Sequence, residues 1–185
     1  MDHLGRHGLS CRLQAGRIPR HSHVNDLLKR ALSSDDIPSR LDPTGLSVRN
    51  SLQPNGMTLF PYKEGKSLVW NFTCVDTLAK SYLKETSKQA RSAAEIAEEA
   101  KFKKYAELEK DYFLVPVAVE TFGACATEGA RLVKNIGKKI QDVTGEKRST
   151  FFLFQSISMA IQRGNAASIL GTIKSGEKLD EIFYE

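Results

Sequence analysis

Cysteine is scarce in this chain: Cys11, Cys74 and Cys125 are spread over 185 residues. An odd, widely spaced set argues against a secreted disulfide framework. Long apolar runs are absent too. No stretch approaches the roughly 20 apolar residues that a membrane helix needs, and the opening MDHLGRHGLSCRLQ lacks the apolar centre of a secretory signal. The expectation is an intracellular protein, nuclear or cytoplasmic, not secreted and with no membrane partner. Acids are thin at the start. Residues 1–30 hold six Lys and Arg against two Asp, and all four histidines fall between His3 and His23. A basic leader suits nucleic acid or another polyanion, which makes Arg6, Arg12, Arg17, Arg20, Lys29 and Arg30 the candidate DNA contacts; a solvated basic end is the plainer reading. With 41% hydrophobic and 26% charged residues the composition is that of an ordinary globular chain.

What is there reads as alternating helices and strands. Val24, Leu27, Leu28, Ala31 and Leu32 recur at helical steps from Ser22 onward, and residues 33–38 end that helix with polar residues and a proline. Residues 39–55 are rich in Pro, Gly, Asn and Ser and read as loop, with a short strand near 40–42. Two apolar runs, 57–62 and 67–75, flank a Glu64-Gly65 turn and predict a hairpin. A long helix is expected over 87–110, with Ala90, Ala94, Ala97, Tyr105 and Leu108 on one face and Lys101 in the gap of that stripe. Residues 111–119 read as a buried strand. Two amphipathic helices follow, 126–142 and 150–163, the second with Phe151, Phe154, Ile157 and Ile161 inward. Trp70, Phe72, Phe151 and Phe154 are expected in the core. The fold class is α/β: a small mixed sheet with helices packed on it and helices at the C-terminal end.

The chemistry concentrates in Gln53-Pro54-Asn55-Gly56 and in Val69-Trp70-Asn71-Phe72-Thr73. Were both asparagines aspartates, the pattern would be a Pro-Asp turn entering one strand and an acid on the next. Two carboxylates so placed can hold Mg²⁺, which polarises a phosphate and activates water. Taken alone, Pro54-Asn55-Gly56 is also a good turn tripeptide.

Several motifs together resemble the PD-(D/E)XK restriction-like endonuclease domain of non-long-terminal-repeat retrotransposon polyproteins, which lies beside a reverse transcriptase, and related retroelement-derived reading frames. Gly5-Arg6-His7-Gly8-Leu9-Ser10-Cys11 resembles the second half of a zinc knuckle. Arg20-His21 followed by Asn25-Asp26 resembles the entry into the first helix. Asp42-Pro43-Thr44-Gly45-Leu46 resembles the stretch before the hairpin, and Lys101-Phe102-Lys103-Lys104-Tyr105 a Lys-x-x-Lys-Tyr motif on the long helix. Glu120-Thr121-Phe122-Gly123 and residues 160–166 resemble segments of the related frames. The resemblance covers about residues 4–173. It implies a PD-(D/E)XK core over 21–123, a zinc-knuckle remnant or basic leader over 1–20, a helical extension over 124–173 and a tail over 174–185.

The departures carry equal weight. Both family aspartates are asparagine, Asn55 and Asn71. The site positions implied are then Asn55, Asn71, Lys101, Lys104 and Asp42, in degenerate form. Mg²⁺ depends on carboxylates to stay bound, so it is expected only if the site still functions. The knuckle supplies the incomplete pair His7 and Cys11, and a structural zinc wants four ligands. Asp76, Glu95 and Glu120 are further acids, but Asp76 is expected on the opposite strand face and Glu95 off the Lys101 face. Lys101 and Lys104 read either as a solvated basic face or as former catalytic or phosphate-contacting groups. The functional expectation is a catalytically inactive, endonuclease-like domain that retains weak electrostatic DNA binding. The alternatives are an active metal-dependent endonuclease using other acids, and a non-catalytic interaction module or pseudogene product.

Overall fold

The computed structural model describes residues 7–10, 15–46 and 52–171. Its elements run α1 (His7–Ser10), α2 (Arg17–Ser33), β1 (Ser39–Leu41), β2 (Gly56–Lys63), β3 (Lys66–Val75), α3 (Leu83–Thr86), α4 (Ser92–Tyr105), a 3₁₀ turn (Ala106–Lys110), β4 (Phe113–Glu120), α5 (Thr127–Thr144) and α6 (Ser149–Leu170). The four strands form one sheet in the order β1-β2-β3-β4. The first two pairings are antiparallel and the third, β3 with β4, is parallel. A parallel pair needs a crossover, and α4 provides it. The mixed α/β class and the C-terminal helices are as expected.

The hairpin closes through Glu64 and Gly65, both with positive φ (51° and 74°). That geometry matches the twist of paired strands and is the reason for glycine at the second position. The other end of the hairpin is fixed by close approach. Gly56 pairs with Trp70, and a Cβ on Gly56 would lie 2.0 Å from the indole ring. Trp70 is completely buried, and its Nε1–H donates to Asn25 Oδ1 at 3.0 Å. Asn25 in turn donates to the His21 backbone carbonyl at 2.9 Å. The helix-entry motif read from the sequence thus seats the largest core side chain.

Alternation along β3 and β4 divides the sheet into two unlike faces. Leu68, Trp70, Phe72, Val115, Val117 and Val119 meet α2, α5 and α6 in the main core. Val69 and Leu114 join Tyr105 and Leu108, and Ala118 meets Ala94 and Ala97, on the α4 side. The C-terminal helices share the core with the sheet. Arg20 Nη1 donates to Asn165 Oδ1 at 2.6 Å, and Asn165 Nδ2 donates to the Thr121 carbonyl at 2.7 Å. These bonds join α2, α6 and the end of β4.

Several expectations need correction. The first helix begins at Arg17, not Ser22. The long helix begins at Ser92, not residue 87, because Arg91 takes a left-handed conformation (φ 79°) and Glu120 Oε1 accepts from the Ala93 N–H at 3.0 Å, capping the helix there. Ala90 is exposed as a result. Phe151 is 58% exposed rather than core. Helix α6 is apolar on several faces, and contact with α2 and α5 selects Leu153, Ile157, Ala160 and Ile161 as its inner side. No helix among the described residues is long and apolar enough to cross a membrane.

Candidate functional site

The α4 face of the sheet opens at the end where β3 passes α2. Asn71 sits on this face, opposite Pro116 of β4, between main-core residues Trp70 and Phe72 that point the other way. Asn55 lies one residue before β2. Its backbone N–H donates to the Trp70 carbonyl at 2.9 Å, and its Oδ1 accepts from the Phe72 N–H at 2.7 Å. Asn55 therefore extends the β2–β3 ladder with its side chain. Lys101 and Lys104 project from the last turns of α4, and Arg17, Arg20 and His21 from the first turns of α2.

These groups meet in one cavity of about 610 Å³, lined by Arg17, Arg20, His21, Gln53, Asn55, Asn71, Lys101, Lys104 and Tyr105 among others. Four of the five sequence-derived site positions, Asn55, Asn71, Lys101 and Lys104, are brought together. Asp42 is not on the cavity wall. It is exposed, has a left-handed backbone (φ 46°) and donates its N–H to the Asn55 carbonyl at 3.0 Å.

The cavity floor is a short hydrogen-bonded chain. Asn71 Nδ2 donates to Tyr105 Oη at 3.2 Å, and the Tyr105 hydroxyl donates to the Gln53 carbonyl at 3.1 Å. Asn71 is 4% exposed, and its Oδ1 is buried without a hydrogen-bond partner. Burial raises the Tyr105 pKa, which keeps the phenol neutral. The Lys101 pKa is lowered by burial and by the neighbouring charge of Lys104. Both ammonium groups lie near the Tyr105 ring, 5.9 and 5.2 Å from its centroid. His21 has its pKa lowered by burial, with Asp42 opposing that shift and Lys101 reinforcing it. Cys74 also lines the cavity, and burial pushes its thiol up to about 11, so it is not a thiolate at neutral pH.

The further acids read from the sequence, Asp76, Glu95 and Glu120, accept from backbone N–H groups, as does Glu98. Glu120 caps α4 as described. Glu98 Oε1 accepts from Glu128 N–H at 3.1 Å and Gly129 N–H at 3.0 Å, and Glu95 Oε1 accepts from Thr127 N–H at 3.1 Å, so both cap the start of α5. Asp76 Oδ1 accepts from Leu78 N–H at 3.0 Å in the turn after β3. The partners of these helix N-termini lie far off in the chain, so no local pattern reveals the capping roles.

Among the described residues no carboxylate lines the cavity, and no three His, Cys, Asp or Glu side chains stand close enough to share a metal ion. The donors that do face it are neutral amides, a phenol, an imidazole and cations. Such a set does not fit Mg²⁺, which binds through carboxylate oxygens and sheds water reluctantly. It fits an anion instead.

Of the six candidate DNA contacts, Arg17 is exposed at the cavity mouth. Arg20 reaches the wall but is 4% exposed and bonded to Asn165, so it is a core arginine and not a free surface cation. Lys29 and Arg30 flank a separate shallow depression with His23 and Asp26. Arg6, Arg12, Cys11 and the side chain of His7 lie outside the described residues. Sequence reasoning missed Gln53 as a hydrogen-bond acceptor and Tyr105 as the link between Asn71 and α4. The Lys-x-x-Lys-Tyr motif held the second signal, since its tyrosine falls one helical turn past Lys101. Compared with known proteins, the sequence matches no family description and no curated relative.

Proposed function

We propose that this chain is a nuclease-derived domain of PD-(D/E)XK and retroelement ancestry that binds DNA without metal and no longer hydrolyses it. One observation carries the reading: Asn55 and Asn71 from the hairpin and Lys101 and Lys104 from the crossover helix share a cavity lined by cations and, among the described residues, by no carboxylate. With both family acids replaced by amides, Asp42 beside His21 is a single negative charge against the cations of the wall, and a backbone phosphate supplies the rest of the counter-charge.

Binding of a duplex oligonucleotide in EDTA, followed by fluorescence anisotropy, tests the first half. Affinity should fall steeply with salt, with a log–log slope of roughly −0.9 per phosphate neutralised. Arg17→Ser and Lys104→Ser should each weaken all sequences about equally and flatten that slope. Arg20 is unsuitable as a probe because its loss would disturb the core. Affinity indifferent to salt, or none at low salt, defeats the proposal. Nicking of supercoiled plasmid in Mg²⁺ tests the second half. The protein as written should be inactive, and only the double reversion Asn55→Asp with Asn71→Asp should gain activity. Robust nicking by the unaltered protein, lost on Asp42→Ala, would favour an enzyme that uses other acids.

A further inference from the structure

Lys101 is placed unlike the other described lysines. It lies on the wall of a concave cavity, half-buried, and forms no ion pair among the described residues. The charge that acts on it is another cation, Lys104, one turn along α4. Asp42 acts on His21, and among the described residues no carboxylate stands on the wall itself. A lysine partly desolvated on a cavity wall beside a second cation is the arrangement that favours the neutral, nucleophilic amine over the ammonium. Arg17 and Lys104 place two further positive charges on the same cavity.

We infer that Lys101 is a nucleophilic amine that condenses with an aldehyde carried a few bonds from a phosphate. The ring-opened sugar of an abasic site in DNA and a free phosphorylated aldehyde share this chemistry. The amine lone pair attacks the aldehyde carbon, the C–N bond forms, and the carbonyl electrons pass to oxygen, which takes a proton. The carbinolamine hydroxyl then takes up a proton from solvent and leaves as water, and the nitrogen lone pair closes the C=N bond to give a protonated imine. On an abasic sugar, removal of the adjacent C2′ proton feeds electrons toward the iminium and expels the 3′-phosphate. That cuts the strand by elimination, with neither metal nor oxidant. His21, its imidazole held neutral by burial, faces the same cavity and is the available proton acceptor. The DNA arm rests on the DNA-binding reading above; the small-molecule arm does not.

The test is borohydride trapping in EDTA. The full chain is incubated with a duplex bearing one abasic site, with the intact duplex, with pyridoxal phosphate and with pyridoxal lacking the phosphate. Adducts are mapped by peptide mass spectrometry. The expected result is a stable adduct on Lys101 with the abasic duplex and with pyridoxal phosphate, and none with intact duplex. Pyridoxal should label about tenfold less. Lys101→Arg should abolish trapping while a urea titration shows the fold intact. Lys104→Met should move the pH profile of labelling upward, a change that loss of structure alone would not produce. Label absent, or shared equally among surface lysines, overturns the inference. If intact duplex binds with steep salt dependence yet neither aldehyde traps, the inference fails and the DNA reading stands. If pyridoxal phosphate traps on Lys101 while no DNA binds, the amine assignment holds and the DNA reading fails.

Discussion

The two faces of the sheet are made from the same two strands and have opposite characters. Toward α2, α5 and α6, β3 and β4 present Leu68, Trp70, Phe72, Val115, Val117 and Val119, and the interior is mostly apolar, with Arg20, Asn25 and Asn165 buried in it as hydrogen-bonded ties. Toward α4, the same strands present Val69, Asn71, Leu114 and Ala118, and the helix answers with alanines, Tyr105 and two lysines. Alternation puts an amide one residue from the largest core aromatic, Trp70. A single strand thus serves as core on one side and cavity wall on the other. The filled face is placed to hold the fold, and the open face is free to hold charge.

The sharpest way to break this comparison is to empty the filled face. Trp70→Ala should cost about 3–5 kcal/mol, from lost burial plus a cavity, and it also frees Asn25 Oδ1. Chemical denaturation measures it, and a loss below about 1 kcal/mol would mean that the face is not the stability core. Next is the polar tie between α2 and α6. Asn165→Leu should cost about 2–3 kcal/mol by leaving the Arg20 guanidinium buried without its acceptor. The double change with Arg20→Met should recover part of that loss. Equal costs for the single and double variants would show that Arg20 reaches solvent instead.

A smaller effect comes from pH. The folded state holds the His21 pKa below 6.5, so the unfolded chain binds that proton more readily. Stability should be unaffected well above 6.5, begin to fall as pH drops through 6.5, and reach its full loss below the lowered folded value. Glu98 acts in the opposite sense at lower pH, since its folded pKa is raised by burial and protonation there favours the folded state. His21→Asn should remove the first slope in urea titrations and leave the second; a slope that survives unchanged would place the titration elsewhere. The smallest change is expected on the open face. Lys101→Met removes a charge that burial disfavours, so stability should rise slightly, by less than about 1 kcal/mol, while DNA affinity falls. A clear loss of stability would show Lys101 to be a structural residue.

Much of the fold is legible in the sequence alone. The hairpin follows from two alternating runs about Glu64-Gly65, and the crossover from a helical pattern between two apolar strands. Helix limits are less legible. Glu120 and Arg91 set the start of α4, and nothing local to residues 87–92 reveals an acid 27 positions away that accepts from Ala93. Periodicity misplaces Phe151 on the inner side of α6, because a helix apolar around much of its girth offers no single stripe. At the site, the motif residues mark the right positions but not their bonds. Asn55 reads as a turn residue, and only the register of β2 against β3 places its Oδ1 on the Phe72 N–H. Arg20 reads as a surface cation in a basic segment, and only the approach of α6 turns it into a buried donor.

The sequence by itself determined the class of fold, the hairpin, the absence of acid at Asn55 and Asn71, and the two lysines on the crossover helix. These are consequences of periodicity, turn chemistry and residue identity, all local properties. The tertiary structure alone decided that those amides and lysines share one cavity with Arg17 and His21. It also decided that Glu95, Glu98 and Glu120 are spent on helix N-termini and Asp76 on a turn. Both outcomes depend on long-range register and helix placement, where groups far apart in the chain compete for the same partners. The charge of the cavity is the remainder of that competition.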